Sequence, residues 1–342
     1  MLTLKFLVKP LIASLALSAC FFAAEVSAAP ARHSHKKAHS TKTSKHKVKG
    51  IHLAKSKKHR SKQLAVHRAH QKRHVVAAVE RASVGDLAGL NSSDPLALAS
   101  HVAFVVDQDS SKVLFEKNSE VALPIASITK LMTSLVVIEA KQDLNEILEV
   151  TNEDLDKEKG TGSRLQVGAK LSRADLLHIA LMSSENRAAS ALGRNYVGGL
   201  PAFVAAMNAK AKALGMLETS YVDSSGLSSK NVASARDLVK LINVAYRYPL
   251  IREYSTDSKY VVNSGKRTLE YGTTNKLVSN ADWNIGLQKT GYIAEAGRCL
   301  VMQAIIEGRA VVMVFLDSKG KYSRLADAGR IKKWMQSLRP QA

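Results

Sequence analysis

The sequence predicts an α+β fold: one antiparallel sheet built from both ends of the chain, covered by helices, with an all-helical lobe inserted between its halves. Two observations carry this. From Leu98 onward the pattern runs strands, helices, strands, helix. The early and late apolar runs are short and bounded by turn residues, whereas the middle has helical spacing behind serine caps.

Taken in order, His101 to Val106 is an apolar run. Lys112 to Glu116 follows the turn Asp107-Gln108-Asp109-Ser110, so the pair reads as a β-hairpin. Pro124 then precedes Ser127 and Lys130, and Leu131, Met132, Leu135, Val136 and Ile138 continue as an apolar helix. Asn145 to Thr151 holds a short apolar stretch, and Gly160 to Gly168 reads as loop. Ser172-Arg173-Ala174-Asp175 is a capping box for a helix ending at Met182. Ser183 to Asn186 forms a polar turn, and a helix runs from Arg187 towards Val197. Another spans Pro201 to Leu214, stopped by Gly215, and Ser234 to Asp237 caps a further one. Tyr260 to Asn263 and Arg267 to Tyr271 flank Ser264-Gly265-Lys266 as a hairpin. Three strands follow at Gly286 to Ile293, Cys299 to Ile306 and Val311 to Leu316, and Ser323 to Leu338 closes the fold as an amphipathic helix.

The charge is unevenly placed. The chain has 342 residues and a net charge of +21. Residues 1–28 read as a signal peptide: Lys5 and Lys9 precede an apolar run from Pro10 to Ala24, and Val26-Ser27-Ala28 supplies small residues for cleavage. The expected location is therefore periplasmic. A minor alternative is lipid attachment at Cys20 within Leu17-Ser18-Ala19-Cys20; the apolar Phe21 and Phe22 after it argue against that. Cleavage after Ala28 would leave Cys299 as the sole thiol, so no internal disulfide is expected.

Residues 29–86 read as a disordered Lys/His-rich segment. Pro30 to Val79 contains no Asp or Glu, and 15 Lys or Arg lie between Arg32 and Arg73. Nine of the 11 histidines lie here too. Such a segment buries too little to offset its ordering entropy. It is a solvated basic linker first and an anchor for an anionic wall or membrane surface second. Export makes nucleic acid an improbable partner, and the histidines lack the fixed spacing of a metal site. Removing +15 for this tail and +1 for the leader from the total of +21 leaves +5 for the rest, so the basicity belongs to the tail. The folded domain is placed at 87–342.

Three short motifs carry chemistry. Ser127 and Lys130 share a helix face at i and i+3, with Ser127 at the positive N-terminal end. A deprotonated amine beside a serine hydroxyl can activate it as a nucleophile. Ser184-Glu185-Asn186 puts a hydroxyl and an amide on a turn between helices; by itself it is ordinary turn chemistry. Lys289-Thr290-Gly291 lies in a late strand, where a glycine marks a bulge or a close approach. Each is weak alone. The ordered set resembles the signature of penicillin-binding proteins and serine β-lactamases.

The resemblance covers roughly residues 98 to 338. It is nearest to the low-molecular-weight D-alanyl-D-alanine carboxypeptidase and endopeptidase family, and within it to the penicillin-binding protein 7/8 type. Leu181-Met182-Ser183-Ser184-Glu185-Asn186-Arg187, Asp223-Ser224-Ser225-Gly226-Leu227 and Lys289-Thr290-Gly291-Tyr292-Ile293 carry it, with Ala296-Gly297-Arg298-Cys299-Leu300. It implies a β-lactamase/transpeptidase-like fold. It also implies a D,D-endopeptidase that cuts D-Ala to diaminopimelate crosslinks of peptidoglycan through an acyl-serine, with β-lactams as inhibitors. A carboxypeptidase of the same mechanism is the alternative, and a non-catalytic wall-binding protein is the non-enzyme one. The implied roles are Ser127 as nucleophile and Lys130 as general base, held neutral by burial and by the positive Lys289. Ser184 would relay a proton and Asn186 hold a substrate amide. Lys289, Thr290 and Gly291 would bind substrate, with the N–H groups of Ser127 and Tyr292 as oxyanion hole. No metal or organic cofactor is implied. Only 51 residues follow Gly291, so the extra β-rich domain and C-terminal anchor of classical carboxypeptidases in the family are not expected. Neither Glu185 nor Glu218 sits in the deacylating glutamate loop of class A β-lactamases, so fast β-lactam hydrolysis is not expected.

Overall fold

Strand β1 (Ser100–Asp107) lies inside a five-stranded sheet of order β2-β1-β11-β10-β9, with β2 at Val113–Lys117, β9 at Asn284–Ile293, β10 at Gly297–Ile306 and β11 at Arg309–Ser318. The computed structural model describes residues 83–90, 94–265 and 267–338. The described residues belong to one compact unit, Ala77–Ala342. The leader, Cys20 and the Lys/His-rich segment up to residue 82 lie outside them; residues 83–86, which the sequence reading put at the end of the disordered segment, are ordered as a helix capped by Ser83 and Asp86.

Every pairing in the sheet is antiparallel, and the first strands join the last: Val102 pairs with Leu316 and Phe104 with Val314. The hairpin expected at 101–116 is present, and Asp107 closes its turn by accepting from Ser110 N and Oγ. Between β10 and β11 the turn is Glu307-Gly308, both at positive φ, the conformation a tight two-residue hairpin needs.

Both faces of the sheet are covered, and strict alternation assigns each residue to a face. Val102, Phe104, Val106, Val312, Val314 and Leu316 face the main core under the helices. Ala103, Val105, Met313 and Phe315 face a second core closed by Ala328, Ile331 and Met335 of the last helix, Ser323–Ser337.

The inserted lobe is mainly helical, but the all-helical expectation is corrected: small two-stranded sheets lie within the insertion, because short stretches flanking its helices pair with one another. Its centre is α2 (Thr129–Glu139), following a short α1 (Val84–Leu87). It is buried nearly all round, from Thr129 through Val137. Around it pack α3 (Arg173–Met182), α4 (Asn186–Arg194), α5 (Gly199–Ala213) and α6 (Ala235–Ala245). Ser172 and Ser234 cap α3 and α6 through the N–H groups of Asp175 and Asp237. The Ser172 box is half complete, because the Asp175 carboxylate bonds to Ser172 Oγ and Tyr260 Oη instead of returning to the Ser172 backbone.

Several elements exceed the sequence reading. α1 precedes the expected onset near Leu98 and docks through Ser83 Oγ to Asp317, 2.6 Å. A helix α7 (Pro249–Thr256) begins with proline at its first turn. The apolar stretch at 145–151 is strand β4 (Ile147–Glu149), paired with β5 (Lys170–Ser172). The late hairpin, β7 (Lys259–Asn263) and β8 (Thr268–Gly272), is where the sequence placed it.

Candidate active site

Ser127 is presented by two neighbouring pieces of backbone. Leu123-Pro124 (β3) pairs with Val232-Ala233 (β6), and Ile125 N donates to Asn231 O. Ala126 then takes a positive φ of 47°, and Ser127 sits in a 3-10 turn, Ala126–Ile128, that runs on into α2. The serine thus stands one tight turn ahead of the α-helix rather than inside it. The i, i+3 relation holds, with Lys130 Nζ 2.9 Å from Ser127 Oγ.

Lys130 is fully buried. It has two further oxygen partners, Asn186 Oδ1 at 2.8 Å and the Ser225 carbonyl at 2.6 Å, and in this arrangement both can only accept. A neutral amine has two N–H donors and one lone pair. It can satisfy both carbonyl oxygens and still accept the Ser127 proton. Burial pushes the Lys130 ammonium down to about 7, opposed by the charges of Asp223 and Glu185. Burial is the largest cause. Lys289 is also held well below its ordinary value, by burial first and then by like charge from Lys130 and Arg324, so the two lysines disfavour each other's protonation.

The Ser225 carbonyl is aimed by its own loop. Asp223 Oδ1 accepts from Ser225 N and Gly226 N, and Oδ2 from Ser228 N. Gly226 has φ +81°, and a Cβ there would lie 2.0 Å from Ala126 O. The sequence marked this loop only as part of a resemblance; its task is to present an acceptor to Lys130.

Ser184 and Asn186 face Ser127 from the α3–α4 turn. Ser184 holds a positive φ of 65°, a strained conformation for a residue with a Cβ. Its Oγ accepts from Lys289 Nζ at 2.9 Å. Asn186 opens α4 and donates from Nδ2 to Thr161 Oγ1, 3.1 Å. Glu185 caps the same helix and bonds Ser163, and Glu218 is exposed.

The opposite wall is β9, the edge strand, which carries Lys289, Thr290, Gly291 and Tyr292. Ser127, Ser184, Asn186, Thr290, Gly291 and Tyr292 line one cavity of about 240 Å³ with Thr274 and Arg324. Lys130 and Lys289, also nominated from sequence, do not line it: both are fully buried behind it, bonded to Ser127 and Ser184, so Lys289 meets Ser184 where the resemblance implied a substrate contact. Thr274 and Arg324 were missed. Thr274 Oγ1 lies 2.6 Å from Thr290 Oγ1. Arg324, in the first turn of the last helix, is 8% exposed and has no carboxylate partner among the described residues. Its signal lay only in its position, an arginine at the start of an amphipathic helix. Behind the site, Cys299 pairs across from Gly291; it is buried, and burial pushes its thiol up to about 12.

Among the described residues, no group of three or more His, Cys, Asp or Glu is placed to hold a metal ion. No helix among them is long and apolar enough to cross a membrane.

A serine hydroxyl beside a buried amine, facing a lysine-bearing edge strand of an antiparallel sheet, defines a serine peptidase of the β-lactamase/transpeptidase-like class. The chain belongs to the peptidase S11 family, described as D-alanyl-D-alanine carboxypeptidase, whose model matches residues 90–320. It is 48% identical over 242 residues to a D-alanyl-D-alanine endopeptidase of Pseudomonas aeruginosa, covering 70% of this chain and 78% of the relative. It is 42% identical over 257 residues to a D-alanyl-D-alanine endopeptidase of Escherichia coli, covering 75% and 83%. Among solved structures it resembles penicillin-binding protein D2 of Listeria monocytogenes in its cefotaxime-bound form. That match has a TM-score of 0.63 and 27% identity, covering 70% of this chain and 98% of that one.

Proposed function

We propose that this chain is a D,D-endopeptidase that hydrolyses D-Ala to diaminopimelate crosslinks in peptidoglycan and is acylated by β-lactams. The observation that carries the chemistry is Lys130: buried, with two carbonyl partners and one hydroxyl, it is built to take the Ser127 proton. The choice of endopeptidase over carboxypeptidase rests on the two relatives of that name at 48% and 42% identity. The family description keeps the carboxypeptidase reading as the alternative.

In this reading Ser127 Oγ attacks the D-Ala carbonyl as its proton passes to Lys130. The oxyanion is held by the N–H groups of Ser127 and Tyr292. Ser184, bonded to Lys289, relays to the leaving amine the proton that Lys130 took from Ser127 as the C–N bond breaks, which leaves Lys130 neutral for the water step. Asn186 exchanges Thr161 for a substrate carbonyl. Thr290 and Arg324 take the carboxylate beside the scissile bond, which supplies the charge that Arg324 lacks. Water then releases the acyl group, returning the proton to Ser127.

The reading includes export to the periplasm by residues 1–28 and attachment of the Lys/His-rich tail to an anionic wall or membrane surface. Digestion of purified crosslinked muropeptide dimers tests the activity. Monomers from the wild-type chain and none from Ser127→Ala support it; intact dimers, with only terminal D-Ala released from pentapeptides, turn the assignment to carboxypeptidase.

A further inference from the structure

The cavity wall formed by Thr290, Thr274 and Arg324 continues outward into a cationic aromatic patch. Two residues beyond Thr274 is Lys276, and two before Arg324 is Tyr322. Tyr322 is 52% exposed. Lys276 Nζ lies 5.5 Å from its ring centroid and Lys321 Nζ 5.4 Å. Neither lysine pairs with a carboxylate among the described residues. Tyr322 is also the N-cap of the 15-residue last helix, and its side chain makes no capping bond there. Arg324, in the first turn, is 8% exposed and lines the cavity, and its Nε has no hydrogen-bond partner.

We propose that Lys276, Lys321 and Tyr322 form an outer subsite for a second carboxylate, carried by the leaving strand of a crosslinked substrate. This rests on the endopeptidase reading. A carboxypeptidase releases one amino acid, whose single carboxylate is met by Thr290 and Arg324. An endopeptidase releases a diaminopimelate that continues into its own stem peptide, and that peptide bears further carboxylates. They must leave the cleft on the Thr290 side, where the next cations along the wall are these two lysines. The tyrosine ring holds both ammonium groups at the rim and offers an apolar face to the peptide.

The test is the full chain carrying Lys276→Ala with Lys321→Ala, compared with wild type on three reactants: a crosslinked muropeptide dimer, a monomeric pentapeptide and benzylpenicillin. Loss of two exposed pairs is expected to lower kcat/KM on the dimer about five- to tenfold, mainly through KM. The difference should shrink as salt is raised. Rates on pentapeptide and penicillin, which end before the patch, should stay within about twofold. Lys276→Arg with Lys321→Arg should restore dimer cleavage. Equal dimer cleavage by variant and wild type would overturn the subsite, as would a uniform loss on all three reactants. If wild type leaves the dimer intact but trims the pentapeptide, the endopeptidase reading has failed and the subsite falls with it.

Discussion

A methyl group on Gly291 would stand 2.8 Å from the carbonyl oxygen of Ile125. The strand that carries Lys289 and the turn that carries Ser127 therefore meet backbone to backbone, and only glycine allows that approach. Gly291→Ala should push the two walls apart. The expected outcome is roughly ten- to a hundredfold slower β-lactam acylation, from misplacement of the reacting groups. Overpacking should cost about 1–3 kcal/mol. Acylation kinetics and thermal denaturation measure both, and wild-type acylation by this variant would remove the contact from the account.

Acylation should rise with pH through about 7, where burial has brought Lys130. An amine acts as a base only after losing its proton, so the rate climbs as pH increases and levels above that value. Lys289 is pushed down as well, so the rising limb belongs to the pair. The same shift has a stability consequence. In the unfolded chain Lys130 keeps its proton up to near its ordinary 10.5, whereas in the folded chain it loses it near 7. Stability from this group therefore increases with pH between those values. Lys130→Ala should slow acylation by about 10² to 10⁴. A flat rate profile across neutral pH would contradict the assignment of Lys130 as base.

Arg324 keeps a guanidinium in the cavity wall without a carboxylate to meet it. Replacing it with methionine should raise the thermal midpoint, because a buried unpaired charge is replaced by an apolar side chain of similar length. The same change should slow acylation by carboxylate-bearing β-lactams roughly ten- to a hundredfold, the loss of one charge-assisted bond. Lower stability with unchanged acylation would mean that Arg324 is structural.

For the basic tail, the proposed anchor predicts a difference in retention. The full chain should sediment with isolated cell walls at low salt and be released as salt rises, while a variant lacking residues 29–82 stays in solution. Equal retention of both would assign wall binding to the folded unit.

Much of the sheet was legible because burial on both faces makes its strands continuous apolar runs, as in Val311 to Leu316. The site was legible because Ser127, Ser184, Asn186 and Lys289 lie in short motifs of fixed order. What stayed hidden depends on contacts between distant residues. β4 pairs with β5 across some twenty residues of loop, which no local pattern reveals. α7 is eight residues long, too short for a firm period. Arg324 reaches the cavity only because its helix packs on the sheet beside β10. The Asp223 loop looks like ordinary turn chemistry until Ser225 O is seen on Lys130.

The most direct test of a lysine-activated serine peptidase is the intact mass of the purified full chain after mixing with a penicillin, beside its Ser127→Ala variant. The account expects a lasting mass increase of one drug molecule on the wild type and none on the variant. An adduct that survives Ser127→Ala, or no adduct on the wild type with the drug left intact, would contradict it.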